Sequence, residues 1–271
     1  MPAQPWILLT NDDGVDSPAL APLADELSTI ASVRVVVPDR ERSWVGKAMS
    51  RFEPVTVAER QVGQHRVYTV SGYPADCTQL GARSLFDGPP ALVVSGINIG
   101  ANHGTSYVSA SGTVGAAVEA AMVQIPALAF SAVRDGDWQV WSRHMSSPDS
   151  VPDWIRLAAV AADLTAEVWT NGMPAGVDVL SVNIPGRADR GTPRRVTRLA
   201  DSRHGTLFTE RDGHWIHGGV AGLRPLDVAD DTDMATSEAG VVSVTPLRVA
   251  ALGAGVTDDL RRRFDRSGDE V

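Results

Sequence analysis

Two adjacent carboxylates follow an apolar run close to the start of the chain. Residues 7–14 are ILLTNDDG, so Asp12 and Asp13 stand where a strand-like segment ends. Like charges side by side repel each other, and a divalent cation between their oxygens would offset that repulsion. Gly14 would let the backbone turn sharply behind them. The same residues also favour an ordinary turn. The pair alone therefore supports a metal site and a purely structural turn about equally.

Neutral oxygen donors in two later loops complete a site for a hard cation. Ser43 ends the segment PDRERS and Asn98 lies in SGINIGANHG, and each segment follows a strand-like run. Each residue alone is more typical of a loop that bonds to its own backbone. Together with Asp12 and Asp13, however, a hydroxyl and an amide oxygen suit Mg²⁺ or a similar ion. The four residues predict one divalent-metal site.

A segment of small residues, SASGT at 109–113, precedes an Ala- and Val-rich helical run. We expect Ser111, Gly112 and Thr113 to form the N-terminus of that helix. Backbone N–H groups point outward there and the helix dipole favours an anion, so a phosphate is the expected ligand. An ordinary serine N-cap explains the same residues and stays an alternative.

Three further residues carry reactive or charged groups. His103, in GANHG, is interpreted as an exposed loop histidine rather than an acid or base. Lys47, the only lysine, is interpreted as a solvated loop cation or a phosphate ligand. Cys77, the only cysteine, is expected in the core, and a single cysteine excludes an intrachain disulfide and a zinc–thiolate site.

The composition is that of a soluble globular protein. The 271 residues suffice for one large domain, and 43% of them are hydrophobic and 21% charged. The net charge of −9 argues against binding to polymeric nucleic acid, because phosphate backbones require Lys and Arg. We find no basic, apolar leader and no apolar run of about 18 residues. We therefore expect neither a signal peptide nor a membrane span, and we predict a cytoplasmic protein.

Apolar runs alternate with helix-like segments along much of the chain. The predicted strands are 6–10, 33–37, 55–57, 67–70, 91–95, 126–131, 177–185 and 241–249. The predicted helices are 18–30, 75–86, 111–123 and 154–169. Residues 133–153 are interpreted as an irregular connection. Residues 186–232 are interpreted as a β-rich extension used for association, with a short strand near 196–199, and the charged tail, 258–271, as helical at its start and frayed at its end.

This alternation predicts a doubly wound, mostly parallel α/β sheet covered by helices on both faces. We predict one domain over 1–271, made of a core at 1–185, a β-rich extension and returning strand at 186–247, and a tail at 248–271. Ligands bind outside the carboxyl ends of the strands in such sheets. The loops NDDG, PDRERS and SGINIGANHG are therefore expected to converge on a single site.

Seven segments, in order, resemble the SurE family of stationary-phase survival proteins. They are ILLTNDDG, VVPDRERS, GYPADCT, VVSGINIGAN, SGTVGAAVEA, LSVNIP and VSVTPL, and they span about residues 7–247. The resemblance implies a Rossmann-like α/β domain and a metal-dependent phosphatase acting on nucleoside 5′- or 3′-monophosphates. It also implies a homodimer or homotetramer joined through exchanged C-terminal elements.

The resemblance further assigns roles to individual residues. It implies one ion, Mg²⁺ or Mn²⁺, held by Asp12, Asp13, Ser43 and Asn98, of which Asp12, Asp13 and Asn98 are expected to be catalytic. The phosphate-binding residues that it implies are Asn11, Ser43, Asn98, Asn102, Ser111, Gly112 and Thr113. Members often have glycine after the ligand serine, where this chain has Trp44. A bulky ring at that position narrows access to the metal or stacks on a base.

We therefore expect a metal-dependent phosphomonoesterase in which Asp12 and Asp13 hold the cation and one of them accepts the proton of the attacking water. Two other classes stay open. An aspartyl-phosphate phosphatase needs a nucleophilic aspartate after the first strand, usually as Asp-x-Asp, and the adjacent pair argues against it. A nucleotide or metal sensor would bind the same groups without turnover.

Overall fold

The computed structural model describes residues 4–218, 223–249 and 261. Its strands are β1 (Trp6–Thr10), β2 (Ser32–Pro38), β3 (Val57–Val62), β4 (His65–Val70), β5 (Leu92–Ile99), β6 (Ala127–Val133), β7 (Val179–Pro185), β8 (Arg194–Val196), β9 (Ser202–His204), β10 (Phe208–Arg211), β11 (His214–His217), β12 (Leu223–Pro225) and β13 (Val242–Leu247). Its helices are α1 (Leu20–Ser28), α2 (Pro74–Arg83), α3 (Gly104–Ala110), α4 (Gly112–Met122), α5 (Trp138–Met145), α6 (Val151–Asn171) and α7 (Asp233–Glu238). A 3₁₀ turn covers Pro148–Ser150.

Nine of these strands form one mixed sheet in the order β3-β4-β2-β1-β5-β6-β7-β13-β8. The six strands from β4 to β7 in that order run parallel, β3 pairs antiparallel with β4, and β13 pairs antiparallel with β7. The strand order reverses at β1, which lies between β2 and β5. A ligand crevice opens at such a reversal, outside the carboxyl ends of the strands. The predicted mostly parallel α/β sheet is confirmed.

Helices cover both faces of the sheet, as its apolar strands require. Leu23 of α1 and Trp154 of α6 pack with Leu9 of β1 on one face, while Cys77 of α2 packs with Leu8 of β1 on the other. Leu8 and Leu9 point to opposite faces because side chains alternate along a strand. Burial of each leucine side chain contributes roughly 2 kcal/mol. The prediction that Cys77 lies in the core is confirmed.

The connection at residues 133–153 contains a helix, so the prediction of an irregular segment is wrong. Trp141 and Met145 lie four residues apart on α5 and are both buried, which gives the helix an apolar face. Asp137 caps its N-terminus by accepting a hydrogen bond from the Val140 amide at 3.0 Å. The Pro, Gly and Ser residues scattered through this segment obscure the helical periodicity of α5 in the sequence. The next helix, α6, begins at Val151 rather than at the predicted residue 154.

Some shorter elements also differ from the predictions. The strand predicted at 55–57 begins only at Val57 and extends to Val62, where it forms a hairpin with β4. Most of its side chains are exposed at the sheet edge, so an apolar run cannot locate it. Helices α3 and α7 are short and rich in Ser and Thr, and apolar periodicity does not reveal them.

Residues after 186 form several short strands, in line with the expected β-rich extension. The strand β13 returns to the main sheet, and β8 pairs parallel with it. The strands β10 and β11 form a hairpin, and β12 pairs antiparallel with β9. The predicted tail, 258–271, lies outside the described residues except for Arg261. Over the ranges that the structure describes, no helix is both long and apolar enough to cross a membrane.

Candidate active site

The turn after β1 is built by Asn11 and Gly14. The Asn11 side chain donates from Nδ2 to the Gly14 carbonyl at 3.0 Å and accepts from the Gly14 amide at 3.1 Å. Gly14 has a φ of +85°, and a Cβ there would lie 2.6 Å from the carbonyl carbon of Arg40. Only glycine fits this close approach. The turn therefore fixes both carboxylates at the carboxyl end of the central strand.

Asp12 and Asp13 occupy different environments. Asp12 is 3% exposed, and the Thr113 hydroxyl donates to its Oδ1. Asp13 is half-buried and accepts from the Ile99 amide at 3.2 Å. Burial raises the pKa of Asp12 to about 6, and burial together with the charge of Asp12 raises the pKa of Asp13 well above its ordinary range. Ionising both groups is costly, and a bound cation would offset that cost.

The loop after β2, residues 39–50, brings Ser43 to the same place. The Arg42 amide of this loop donates to the Asp12 carbonyl at 2.7 Å. The Ser43 hydroxyl donates to Glu41 Oε1 at 2.6 Å, so its oxygen keeps lone pairs for another ligand. Glu41 also lines the site and adds negative charge next to the aspartates. The sequence reasoning missed Glu41, although its place two residues before Ser43 in a polar segment points to it.

A bulge in β5 directs Asn98 to the site. The register between β5 and β6 shifts between Ser95 and Asn98, and bulges of this kind re-aim side chains. Asn98 Nδ2 donates to the Gly100 carbonyl at 2.6 Å. No donor within the described part of the chain bonds to Asn98 Oδ1, so this oxygen remains for a ligand.

The N-terminus of α4 packs onto Asp12. Ser111 accepts from the Val114 amide at 3.0 Å, so the N-cap interpretation is confirmed. A Cβ at Gly112 would lie 2.8 Å from the Asp12 Cβ, so glycine allows the helix to come this close. Thr113 is fully buried where it donates to Asp12. Gly112 and Thr113 therefore position a carboxylate, and Ser111 faces the cavity.

Asn102 is held by two residues that the sequence reasoning missed. Its amide donates to Asn183 Oδ1 at 2.9 Å, and its carbonyl accepts from Asn183 Nδ2 at 3.2 Å. Its own Nδ2 donates to Ser131 Oγ at 2.8 Å. Asn183 of β7 and Ser131 of β6 are both buried. A polar residue inside an apolar strand, as in LSVNIP, is the signal that could have found them.

His103 and Lys47 both differ from their first interpretations. His103 is 7% exposed rather than an exposed loop residue, and its Nδ1 lies 3.2 Å from Ser237 Oγ. Burial, with a smaller effect of the Arg134 charge, lowers its pKa to about 4, so the ring is neutral near pH 7. Lys47 forms an ion pair with the buried Glu119 of α4 instead of standing free in solvent. This ion pair ties the loop after β2 to α4.

One cavity of about 960 Å³ joins these groups, a size suited to a small-molecule ligand. The predicted site residues that line it are Asp12, Asp13, Ser43, Asn98, Asn102 and Ser111. Asn11, Gly112 and Thr113 are not among the lining residues and support the turn and Asp12 instead. Trp44, Tyr107 and Trp138 add aromatic surface, and Arg134 and Arg187 add positive charge.

The donor atoms of the cavity fit a hard divalent cation. Two carboxylates, a hydroxyl and an amide oxygen are the ligands that Mg²⁺ and Mn²⁺ prefer. Across the described ranges, no group of three His, Cys, Asp or Glu side chains is arranged to hold a metal ion. A cation at this site would therefore rely on neutral oxygens and water beside the two carboxylates, which is typical of Mg²⁺.

Comparison with known proteins decides the family. The family model described as Survival protein SurE matches residues 7–206. The chain belongs to the SurE family. The 5′-nucleotidase SurE of Methanocella arvoryzae is 34% identical over 266 residues, which cover 94% of this chain and 96% of that protein. The 5′-nucleotidase SurE of Syntrophotalea carbinolica is 38% identical over 249 residues, which cover 90% of this chain and 91% of that protein.

A solved structure of the family agrees with the fold. The SurE protein from Aquifex aeolicus superimposes with a TM-score of 0.74 at 31% sequence identity. The match covers 96% of this chain and 100% of that chain. The family resemblance drawn from seven sequence segments is confirmed, and so is the Rossmann-like fold that it implies.

Proposed function

We propose that this SurE-family chain is a divalent-metal-dependent phosphomonoesterase that hydrolyses nucleoside 5′- or 3′-monophosphates to nucleoside and phosphate. The observation that carries the proposal is the pair of recessed aspartates at the end of β1, which shares one cavity with Ser43 and Asn98. In addition, relatives that match at least 90% of the chain are named 5′-nucleotidases.

In this proposal Asp12, Asp13, Ser43 and Asn98 hold one Mg²⁺ or Mn²⁺. When bound, the cation stabilises negative charge on the phosphoryl group and lowers the pKa of a water molecule. The Thr113 hydroxyl orients Asp12 through its hydrogen bond to Oδ1. Asp13 is the more exposed of the two carboxylates and accepts the proton of the attacking water.

Donors of the chain bind the phosphate oxygens. Asn98 and Asn102 present amide groups to the cavity, and Ser111 lies at the N-terminus of α4, where the helix dipole favours an anion. Asn11, Gly112 and Thr113 contribute indirectly, because they fix the turn and the carboxylate on which the phosphate site depends.

The β-rich extension supports assembly into a homodimer or homotetramer. Among the residues that the structure describes there, the exposed large apolar side chains are Val196, Phe208, Trp215, Ile216, Leu226 and Val228. Covering them with a second copy of the chain would remove apolar surface from water. We also propose a cytoplasmic location, with no binding to membranes or polymeric nucleic acid, in keeping with the net charge of −9.

Phosphate release from AMP and GMP with Mn²⁺ or Mg²⁺, before and after EDTA, tests the proposed activity. Asp12→Ala and Asp13→Ala are each expected to abolish turnover and to leave the protein folded, whereas Asp87→Ala, an exposed control, keeps full activity. Unchanged turnover in either aspartate variant refutes that ligand assignment. Nucleotide binding without release under either metal would instead favour a sensor, and a trapped phosphoenzyme would favour an aspartyl-phosphate mechanism.

A further inference from the structure

Two aromatic side chains form the part of the cavity wall next to Ser43. Trp44 follows Ser43 directly, and Tyr107 lies on α3, shortly before Ser111. Both residues line the cavity, with ring centroids 5.7 Å apart and ring planes at 66°. The two rings therefore stand on the same segments that carry proposed metal-binding and phosphate-binding groups.

Trp44 has a backbone conformation that suits glycine better. Its φ is +59°, in the left-handed region where bulky residues are uncommon. The loop after β2 is fixed on both sides of it. The Arg42 amide donates to the Asp12 carbonyl at 2.7 Å, and the Gly46 amide donates to the Ala110 carbonyl at 2.8 Å. Strained backbone conformations of this kind concentrate at active sites and ligand clamps.

The ring of Trp44 is supported by groups outside the cavity. His217 of β11 and His204 of β9 contact it, with ring centroids 4.7 Å and 5.5 Å away. Neither histidine is among the lining residues. Trp44 is still 37% exposed, so part of its ring surface remains accessible. A flat ring held in one position loses little rotamer freedom when a ligand stacks on it.

We propose that Trp44 and Tyr107 form the wall on which the nucleobase of the substrate stacks. This inference rests on the proposed function, in which the substrate is a nucleoside monophosphate. Every base has a π-face, so stacking on aromatic side chains favours binding whatever the base. A phosphate bound beside Ser43 and Ser111 brings its nucleoside close to rings on neighbouring residues. A phosphomonoester that lacks a base gains nothing from this wall.

A third ring, Trp138 of α5, also lines the cavity and provides a matched comparison. It packs against Trp141 with centroids 5.7 Å apart and lies next to Gly100. Arg134 and Arg187 belong to the same lining. Gly100 also lies beside Asn98, so Trp138 is the competing surface for the base, and the proposal predicts that the base stacks on Trp44 and Tyr107 instead.

The test compares AMP with ribose 5-phosphate, which has the same phosphoester group and no base. Trp44→Gly removes the ring and suits the left-handed backbone, so the loop keeps its conformation. With Mn²⁺, kcat/KM for AMP is expected to fall about tenfold, and kcat/KM for ribose 5-phosphate to change less than about twofold. Trp44→Phe is expected to restore most of the loss. Trp138→Leu is expected to leave the ratio of kcat/KM for AMP to kcat/KM for ribose 5-phosphate unchanged.

Calorimetric titration with adenosine, which has no phosphate, provides a second measurement independent of turnover. Adenosine binding is expected to weaken about tenfold in Trp44→Gly. If Trp44→Gly changes kcat/KM equally for AMP and ribose 5-phosphate, the proposal is overturned. Trp44 would then be a residue that narrows access to the metal site. A larger loss of AMP selectivity in Trp138→Leu would overturn it as well. If the wild-type protein releases phosphate from neither substrate, the proposed function is refuted. The adenosine titration would still decide the role of Trp44.

Discussion

Replacing Asp12 by asparagine is expected to stabilise the metal-free protein. Asp12→Asn removes a buried negative charge and keeps an oxygen that can accept from the Thr113 hydroxyl. Burial raises the pKa of Asp12 from 3.8 to about 6, so the folded state binds this proton more tightly than the unfolded chain does. The wild-type protein therefore loses stability as the pH rises through that window, and the loss is complete above it.

The size of the effect follows from the width of that window. Each unit of pKa difference corresponds to about 1.36 kcal/mol. The rise of the Asp12 pKa from 3.8 to about 6 therefore predicts that Asp12→Asn increases the free energy of unfolding by about 3 kcal/mol at pH 8. In a chain of this length, that free energy raises Tm by roughly 5 °C. At pH 5 about half of the gain is expected to remain, and well below pH 3.8 none of it, because both states then carry the proton.

Thermal unfolding in EDTA at pH 8 and pH 5 measures this gain. The exposed Asp87 offers a matched control, since Asp87→Asn is expected to leave Tm unchanged. Adding Mn²⁺ separates stability from metal binding, because saturation at one hundred times Kd stabilises the wild type by about 2.7 kcal/mol and the variant far less. If Asp12→Asn melts at or below the wild-type temperature in EDTA, other groups of the protein already offset the buried charge and the reasoning fails.

Three further substitutions test the supporting residues. Thr113→Val removes the hydroxyl that orients Asp12, so calorimetry should show Mn²⁺ binding about tenfold weaker, with Thr113→Ser retaining wild-type affinity. The pKa of His103 is lowered to about 4 in the folded protein, so between pH 7 and pH 5 only the unfolded chain takes up this proton. The free energy of unfolding of the wild type, measured in urea, should therefore fall by roughly 2 kcal/mol from pH 7 to pH 5, and His103→Gln should abolish this fall. Asn183→Ala leaves two backbone groups of Asn102 without these partners, so the free energy of unfolding should fall by about 2 kcal/mol and KM for AMP should rise. An unchanged KM would show that Asn183 is not needed to position Asn102 for the substrate.

Local sequence patterns sufficed to place the main strands and the loops that follow them. Residues 6–9 are apolar and Thr10 favours a strand, so β1 is found at its predicted bounds, and Pro38 marks the end of β2. Because parallel strands end at one edge of a sheet, Asp12, Ser43 and Asn98 come to line one cavity, although β5 extends to Ile99 rather than to the predicted residue 95 and Asn98 therefore lies within the strand.

Contacts between distant segments explain what the sequence did not reveal. His103 follows Gly and Asn residues typical of a loop, yet Ser237 of α7 lies against it from 134 positions later. Asn102 is paired with Asn183 across 81 positions. Trp44 meets His217 of the hairpin formed by β10 and β11. No local periodicity encodes these partners. Asn183 belongs to β7 of the core, and the contacts of Ser237 and His217 depend on how the chain after residue 186 folds against the earlier segments.

The ion pair between Lys47 and Glu119 makes the motion of the loop after β2 directly measurable. Lys47 is the sole lysine of the chain, so a lysine-specific protease has a single bond to cut, between Lys47 and Ala48. A folded loop must open before a protease can bind it, and under those conditions the cleavage rate follows the population of the open form. The rate of cleavage after Lys47 thus reports the opening of the loop, four residues from Ser43. A ligand bound at Asp12 is expected to lower this rate.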